Sequence, residues 1–166
     1  MNTFARCLYW VGVSFFWVGV SFLAAIIGGI GTAVGLGPWY QALNKPSWNP
    51  PSWIFGPVWS TLYTLMGISM GLMDSATLKS MKPGVNRRLR TIFVVQIILN
   101  AVWPLLFFGA GLLWLGLAEI IVLEIFILAW IKLGWTEHRP ATFLILPYAA
   151  WVGFATCLNA TLAWLN

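Results

Sequence analysis

The stretch from Pro38 to Trp59 reads PWYQALNKPSWNPPSWIFGPVW, and it is neither a candidate membrane helix nor an ordinary short connection. It contains five of the nine prolines of the chain. Because proline lacks a backbone N–H and holds φ near −65°, regular helix is not expected in this stretch until after Pro57. Its aromatic side chains are costly to leave in water. We therefore predict that residues 35–52 form a structured loop, here called the cap, on the mouth of a helix bundle.

The composition of the whole chain is that of a membrane protein. Hydrophobic residues make up 60% of it, charged residues make up 8%, and the mean hydropathy is +0.85. These values lie outside the range of soluble globular domains and inside the range of membrane proteins. With 166 residues, the chain is predicted to form one domain, residues 1–166.

Five segments are long enough to cross a hydrocarbon core of about 30 Å. They are roughly residues 8–34, 53–73, 91–108, 112–131 and 141–164. The first is too long to be the apolar part of a signal peptide. The short turn at 108–111 makes the third and fourth segments an antiparallel hairpin. The fold class is therefore predicted to be all-α, an integral membrane bundle of five transmembrane helices.

Basic residues predict the orientation of this bundle. Five spans place eight of the nine Lys and Arg residues on one side, in the N-terminus and the loops 74–90 and 132–140, and leave Lys45 alone on the other. The positive-inside rule then makes the basic loops cytoplasmic and puts the cap outside. This bias explains the net charge of +5 without nucleic acid, and contact with anionic lipid headgroups is the favoured reading of the basic loops. Short loops and the lack of a eukaryotic targeting extension favour a bacterial inner membrane.

Familiar catalytic and metal-binding patterns are not found in the sequence. Cys7 and Cys157 are 150 residues apart and have apolar neighbours, so both are interpreted as inert buried thiols. His138 is the only histidine and is expected to be a solvated loop residue. We therefore predict no catalytic residues, no metal site and no required cofactor.

Aromatic and amide side chains recur at helical spacing in three of the spans. The stripe of the second span is formed by Trp59, Tyr63, Met66 and Met70. The stripe of the third span is formed by Gln96, Asn100, Trp103 and Phe107. The stripe of the fifth span is formed by Tyr148, Trp151, Ala155 and Asn159. Amides inside a bilayer need partners, so these faces are expected to point into the bundle. Interhelical hydrogen bonding and core packing would account for the stripes if they stood alone.

Depth in the membrane favours a binding site. In the predicted orientation, most of these residues lie in the outer half of the bundle and converge beneath the cap. A cavity with flat aromatic walls and a few amides suits a large, flat, mostly apolar ligand. The glycines at the outer end of the first span suggest close helix packing or fraying into the cap. Gly31 with Gly35, and Gly67 with Gly71, match the small-xxx-small pattern, for which a dimer face is the less favoured interpretation.

These residues carry a resemblance to a known family. The stretch from Trp39 to Trp59, followed by Leu62-Tyr63 and Met66-Gly67, resembles the signature of the TspO/MBR family, which comprises the tryptophan-rich sensory proteins and the translocator protein, or peripheral benzodiazepine receptor. The similarity continues with Gln96, Leu99-Asn100, Trp103 and Phe107-Phe108 in the third span, and with Pro147-Tyr148, Trp151, Phe154-Ala155 and Leu158-Asn159 in the fifth. It covers essentially the whole chain.

The resemblance implies a five-helix bundle, often a homodimer, with a pocket under the first loop for porphyrins, for sterols in some members, and for synthetic isoquinoline or benzodiazepine ligands. By position it nominates as pocket lining Tyr40, Pro50, Trp59, Tyr63, Gln96, Asn100, Trp103, Tyr148, Trp151, Ala155 and Asn159. The Tyr and basic residue with which animal members end the last span are missing here, where the chain reads Thr161-Leu-Ala-Trp164-Leu-Asn166. A sterol is therefore the less favoured ligand.

Three functions stay open at this point. The favoured one is a membrane protein that binds a tetrapyrrole such as protoporphyrin IX for transport, sequestration or sensing, and that is not an enzyme. The second is an enzyme that degrades porphyrin in light with tryptophans as redox partners. The third is a membrane scaffold that acts through partner proteins.

Two carboxylates lie inside the fourth span. Glu119 and Glu124 are five residues apart, so they point about 140° apart around the helix. No basic residue lies inside any span to pair with them. We expect at least one to be protonated or hydrogen-bonded across a helix interface.

Overall fold

A computed structural model describes residues 3–79 and 83–166, so Ser80 and Lys82 lie outside the described residues. The described chain consists of helices and short connections. The seven α-helices are α1 Thr3–Gly35, α2 Pro38–Ala42, α3 Phe55–Lys79, α4 Pro83–Pro104, α5 Leu113–Glu137, α6 Arg139–Phe143 and α7 Leu146–Leu165. A 3-10 turn, Ser52–Ile54, precedes α3, and a π-turn, Leu105–Gly109, continues α4.

Four stretches of the described chain are long and apolar enough to cross a membrane. They are Tyr9–Ala33, Pro83–Gly109, Leu113–Glu137 and Arg139–Leu165. The predicted span 53–73 falls in α3, which has 25 residues but is not one of the four. Polar side chains interrupt its apolar sequence, and several of them donate to carbonyls of their own helix: the hydroxyls of Ser60 and Thr64 donate to Gly56 O at 2.9 Å and to Ser60 O at 2.8 Å.

Two sequence-based expectations about loops are wrong. Regular helix begins before Pro57, at Pro38 in α2 and at Phe55 in α3, because the first turn of a helix has N–H groups without intrahelical partners and therefore tolerates proline. The predicted loops 74–90 and 132–140 are also largely helical, since α3 extends to Lys79, α4 begins at Pro83 and α5 extends to Glu137. Basic residues are expected where a helix leaves the hydrocarbon, and a helix can continue beyond that point.

The glycine pairs bring helices of the same chain into contact. A Cβ added at Gly67 would lie 2.4 Å from Val18 Cα, and one at Gly71 would lie 2.4 Å from Ser14 Cα, so α1 and α3 touch through their backbones. At the other end of α1, a Cβ at Gly35 would lie 2.1 Å from Phe108 O in the π-turn. These pairs therefore make close helix contacts inside the chain, and a dimer face stays a prediction.

The turn after α4 forms the predicted hairpin with α5. Ala110 N donates to Leu105 O at 2.9 Å, which closes the π-turn, and Gly111 follows with φ of +68°. This left-handed conformation is one that glycine adopts without a Cβ clash. The predicted turn at 108–111 is thereby confirmed, and it lies under the cap, where the ring of Trp39 is 3.1 Å from the position of a Cβ on Gly111.

A buried carboxylate joins three helices at the end of the bundle opposite the cap. Asp74, one residue beyond the predicted span 53–73, accepts hydrogen bonds from Trp17 Nε1 of α1 at 3.1 Å, and from Asn86 Nδ2 at 2.6 Å and Arg90 Nε at 2.8 Å of α4. Burial alone would raise the pKa of Asp74, but these donors and the charge of Arg90 outweigh it and hold the pKa below its usual value. No pattern in the sequence pointed to this cluster.

Candidate functional site

Two neighbouring cavities lie beneath the cap. The larger has a volume of about 370 Å³ and lies between α1, α3 and α4; it is lined by Ala25, Gly28, Gly29, Thr32, Ala33, Leu36, Phe55, Gly56, Trp59, Ser60, Tyr63, Asn100 and Pro104. The smaller has about 20 Å³ and is closed in by aromatic rings; it is lined by Tyr40, Phe55, Trp103, Phe107, Phe108, Trp151, Phe154, Ala155, Leu158, Asn159 and Leu162. Among the described residues, Phe55 alone lines both.

The nominated residues are divided between these cavities. Trp59, Tyr63 and Asn100 line the larger cavity. Five others line the smaller: Tyr40, Trp103, Trp151, Ala155 and Asn159. The cavity expected from the sequence is thus split in two, because Phe55 stands between the halves with its ring centroid 6.0 Å from that of Trp151.

Three nominated residues line neither cavity. Pro50 lies at a polar recess of about 350 Å³ on the outer surface of the cap, beside Lys45 and Asn49. Tyr148 and Gln96 are fully buried between helices. Both amide atoms of Gln96 lack a hydrogen-bond partner, although its side chain points inward as expected.

A chain of hydrogen bonds crosses the bundle at the floor of the larger cavity. Tyr63 donates its hydroxyl to Asn100 Oδ1, and Asn100 Nδ2 donates to the hydroxyl oxygen of Tyr148 at 2.9 Å. All three side chains are buried, and they come from α3, α4 and α7. The prediction that the amide of Asn100 faces the interior and finds partners there is confirmed. One amide thereby ties three helices together at the cavity floor.

Asn159 plays the same part beside the smaller cavity. Its Oδ1 accepts a hydrogen bond from Trp103 Nε1 at 3.1 Å, and its Nδ2 donates to Leu113 O at 2.9 Å. Trp103 in turn stacks on Phe107, with ring centroids 4.9 Å apart and an interplanar angle of 19°. These bonds connect α4, α5 and α7 and hold the ring of Trp103 in a defined orientation.

The cap is packed onto the bundle, as the sequence predicts. Trp48 contacts Phe154 with ring centroids 5.8 Å apart, and Tyr40 contacts Phe108 at 5.3 Å. Lys45 Nζ lies 4.6 Å from the ring centroid of Tyr40. Burial raises the pKa of the Tyr40 hydroxyl, although a hydrogen bond to Asn49 partly offsets this effect.

Polar side chains tie the cap to the end of α7. Asn44 N donates to Asn166 Oδ1 at 2.9 Å, and Asn166 Nδ2 donates to Asn44 O at 3.2 Å. The cap therefore has one polar attachment and several aromatic ones, so displacing it requires the loss of both.

Sequence reasoning missed the α1 wall of the larger cavity. The lining residues are five of α1 and the residue that follows it: Ala25, Gly28, Gly29, Thr32, Ala33 and Leu36, at the helical spacing of 0, 3, 4, 7, 8 and 11. Four of them are glycine or alanine, so the stripe is visible in the sequence, but only its glycines were interpreted, as a site of close helix packing or of fraying into the cap. Phe55 was also missed, because it lies one turn before Trp59, in a stretch where no regular helix was expected before Pro57.

The carboxylates of α5 have buried oxygens without partners. Both side-chain oxygens of Glu119 and Oε2 of Glu124 are buried and have no hydrogen-bond partner among the described residues. A hydrogen bond across a helix interface is thus not found for these atoms. Protonation, the other part of the expectation, stays a prediction.

Residues 17–165 match the sequence model of the TspO/MBR family. The chain belongs to the TspO/MBR family. Among its TspO/MBR relatives, the tryptophan-rich protein TspO of Chlorobaculum tepidum is 38% identical over 128 residues, which cover 77% of this chain and 79% of that protein.

Two further TspO/MBR relatives come from distant organisms. The tryptophan-rich protein TspO of Archaeoglobus fulgidus is 36% identical over 135 residues, covering 81% of this chain and 84% of that protein. The translocator protein of Homo sapiens is 36% identical over 126 residues, covering 73% of this chain and 70% of that protein. Together with the four long apolar stretches of the described chain, this membership identifies the chain as an integral membrane protein.

Proposed function

We propose that this TspO/MBR protein binds a porphyrin or a similar flat tetrapyrrole beneath the cap, in one slot formed when the two cavities join. The observation that carries the proposal is the division of the nominated residues around Phe55: aromatic rings wall both cavities, and Asn100 and Asn159 each place one amide at a wall. Flat apolar walls supply affinity, and sparse amides orient the ligand. The names of two relatives, translocator protein and tryptophan-rich sensory protein, are consistent with a role in transport, sequestration or sensing.

The size of the cavities implies that the site opens on binding. A volume of about 370 Å³ is at the lower end of the range for ligand pockets, and about 20 Å³ holds no ligand. Rotation of the Phe55 ring and a shift of the cap would join the two. The protein needs no resident cofactor in this proposal, and the tetrapyrrole is its ligand; sterols and isoquinoline or benzodiazepine compounds are further candidates for the same slot.

The proposal includes a topology of five spans. α3 is placed as the fifth span because the hydroxyls of Ser60 and Thr64 donate within the helix. In addition, Gly67 and Gly71 lie against α1, which is long and apolar enough to cross the membrane. The N-terminus and the basic ends then face the cytoplasm, and the cap is outside, in a bacterial inner membrane. Membrane lipid and a second copy of the chain are the proposed partners.

Titration of the purified protein with protoporphyrin IX tests the function. Wild-type protein should bind with quenching of tryptophan fluorescence. Ala155→Phe fills the smaller cavity and should weaken binding by at least about tenfold, which is about 1.4 kcal/mol. Cys157→Phe is the matched control because Cys157, which was expected from the sequence to be buried, is exposed on the same helix. This variant should bind like wild type. Absence of saturable binding to wild-type protein would refute the proposal.

A further inference from the structure

We propose that the larger cavity opens sideways between α1 and α3 into the apolar part of the membrane, and that the ligand enters from lipid through this mouth. The mouth is defined by four residues at its rim, Gly29 and Ala33 of α1 and Gly56 and Ser60 of α3. The identity of the ligand rests on the function proposed above, whereas the existence of the mouth does not.

The path of α1 creates the opening. Toward the end away from the cap, Gly67 and Gly71 of α3 lie against the backbone of α1. Toward the cap, α1 leans instead on the end of α4 and the π-turn: a Cβ on Gly28 would lie 3.1 Å from Pro104 Cγ, and one on Gly31 would lie 3.0 Å from Leu105 N. Because α1 crosses from α3 to the end of α4, a wedge stays open between α1 and α3 beneath the cap.

Small residues keep the rim open. Gly29, Ala33, Gly56 and Ser60 are all exposed, and all line the larger cavity. A Cβ on Gly29 or on Gly56 would meet no other atom within 4 Å. Glycine is thus not required at these two positions for close packing between helices, in contrast to Gly67 and Gly71. What these glycines leave is free space at the entrance.

The chemistry of the rim fits lipid better than water. The hydroxyl of Ser60 donates to Gly56 O at 2.9 Å, and that of Thr32 donates to Gly28 O at 3.0 Å, so neither leaves an unpaired donor in the cavity. Ile26 and Ile30 flank the α1 side of the rim and are about three-fifths exposed, at 61% and 60%. The recess on the cap surface is different, since Gln41, Lys45 and Asn49 line it.

The inside of the mouth fits a planar molecule with a polar edge. Trp59 stacks on Tyr63 at the inner wall, with ring centroids 5.4 Å apart and an interplanar angle of 29°. The Tyr63–Asn100 pair forms the polar floor, and Phe55 is the barrier to the smaller cavity. A molecule that enters edge-on from lipid would therefore meet a flat aromatic wall first and Phe55 next.

Blocking the mouth tests the route. In vesicles, Gly29→Phe should slow the association of protoporphyrin IX, followed by tryptophan quenching, by at least about tenfold, while Gly19→Phe stays within about twofold of wild type. Gly19 is the matched control because it is exposed on α1 and a Cβ there also meets nothing within 4 Å. Protein-free vesicles give the rate at which porphyrin inserts into lipid. The rate of association with the protein is then measured under conditions in which it is slower than this insertion. Equal association rates in all three proteins would overturn the route.

A spin label tests the mouth without a ligand. The label is attached to Ser60→Cys in a protein that also carries Cys7→Ser and Cys157→Ser, and Ser47→Cys of the cap serves as the water-exposed control. At position 60, collisions with oxygen dissolved in the bilayer should exceed collisions with a water-soluble nickel complex, and at position 47 the order should reverse. The same order at both positions would overturn a lipid-facing mouth. If the label at position 60 reports lipid but wild-type protein binds no porphyrin, the mouth stands and the proposed function fails.

Discussion

Asn100 and Gln96 show that the position of a buried amide along one helix face decides whether it finds hydrogen-bond partners. They are four residues apart on α4 and belong to one stripe, but Asn100 has a tyrosine partner on either side, whereas Gln96 has none. A buried amide without hydrogen-bond partners lowers the free energy of unfolding of the protein by about 1–3 kcal/mol relative to an amide that has them. One turn of helix therefore separates a residue at the floor of a cavity from one enclosed in the core.

Trp59 and Trp151 separate binding from catalysis at the scale of single residues. Trp59→Phe and Trp151→Phe keep an apolar ring beside Tyr63 and Phe55, so each should weaken porphyrin binding by less than about tenfold, given about 0.5–1.5 kcal/mol per aromatic pair. A binding protein should show the same loss of pigment in light for wild type, both variants and free porphyrin. The measurements are affinity and light-dependent bleaching on the same samples.

The enzyme alternative makes the opposite prediction for these variants. Phenylalanine is a far poorer electron donor than tryptophan, so redox chemistry at these positions would stop in the variants while binding persisted. Rapid bleaching by wild-type protein that either substitution abolishes would contradict a purely binding role.

At the scale of elements, the contact between α1 and α3 depends on the absence of side-chain atoms at Gly71. Gly71→Ala should destabilise the fold by about 1–3 kcal/mol, because the new Cβ would lie 2.4 Å from Ser14 Cα and the two backbones would have to separate. The measurement is the thermal unfolding midpoint in detergent.

Gly12→Ala is the control for this contact. A Cβ on Gly12 of α1 meets nothing within 4 Å, so alanine should stabilise the helix there by about 0.5–1 kcal/mol through its higher helix propensity. Opposite signs for the two substitutions are the expected outcome. Stabilisation by both would show that α1 and α3 do not touch at Gly71.

The Asp74 cluster connects α1, α3 and α4 at the other end of the bundle. Asp74→Asn should lower the free energy of unfolding at neutral pH by about 1–3 kcal/mol, less than for a fully buried pair because the Arg90 side chain is 44% exposed. The pKa of Asp74 is lower in the folded than in the unfolded protein, so its stabilisation is complete above the unfolded value, about 4, and is lost as the pH falls through the folded value.

The pH dependence distinguishes the charge of Asp74 from its packing. Between neutral pH and about pH 3, wild-type protein should lose more stability than Asp74→Asn, so that their unfolding midpoints converge on acidification. Parallel curves for the two proteins would assign the effect of the substitution to packing alone.

At the scale of the whole molecule, the number of spans decides which ends share a side. Five spans place Ser47 of the cap opposite both Ser80 and Thr136, whereas four spans without α3 place all three on one side. Single cysteines at these positions, in a protein with Cys7→Ser and Cys157→Ser, are labelled in sealed vesicles with a maleimide that does not cross membranes. Ser47→Cys should react from the side opposite to Ser80→Cys and Thr136→Cys. Reaction of all three from one side would contradict the five-span topology.

The sequence alone was sufficient for the class of protein, and for the inward-facing amides and the packed cap of the candidate site. Hydropathy and charge are read along the chain, so they indicated a helical membrane protein. The 3.6-residue period indicated that Asn100 and Asn159 face inward, and the packed cap followed from its aromatic residues. Each of these inferences depends on neighbours within one helix or one loop.

Only the tertiary structure decided how these faces meet. Glycine contacts set the path of α1, and that path leaves a wedge beside α3 and a cavity divided by Phe55. The Asp74 cluster likewise joins Trp17, Asn86 and Arg90, of which Trp17 is 57 residues away. Such features depend on the tilt and close approach of helices far apart in the chain, and a one-dimensional pattern does not contain those distances.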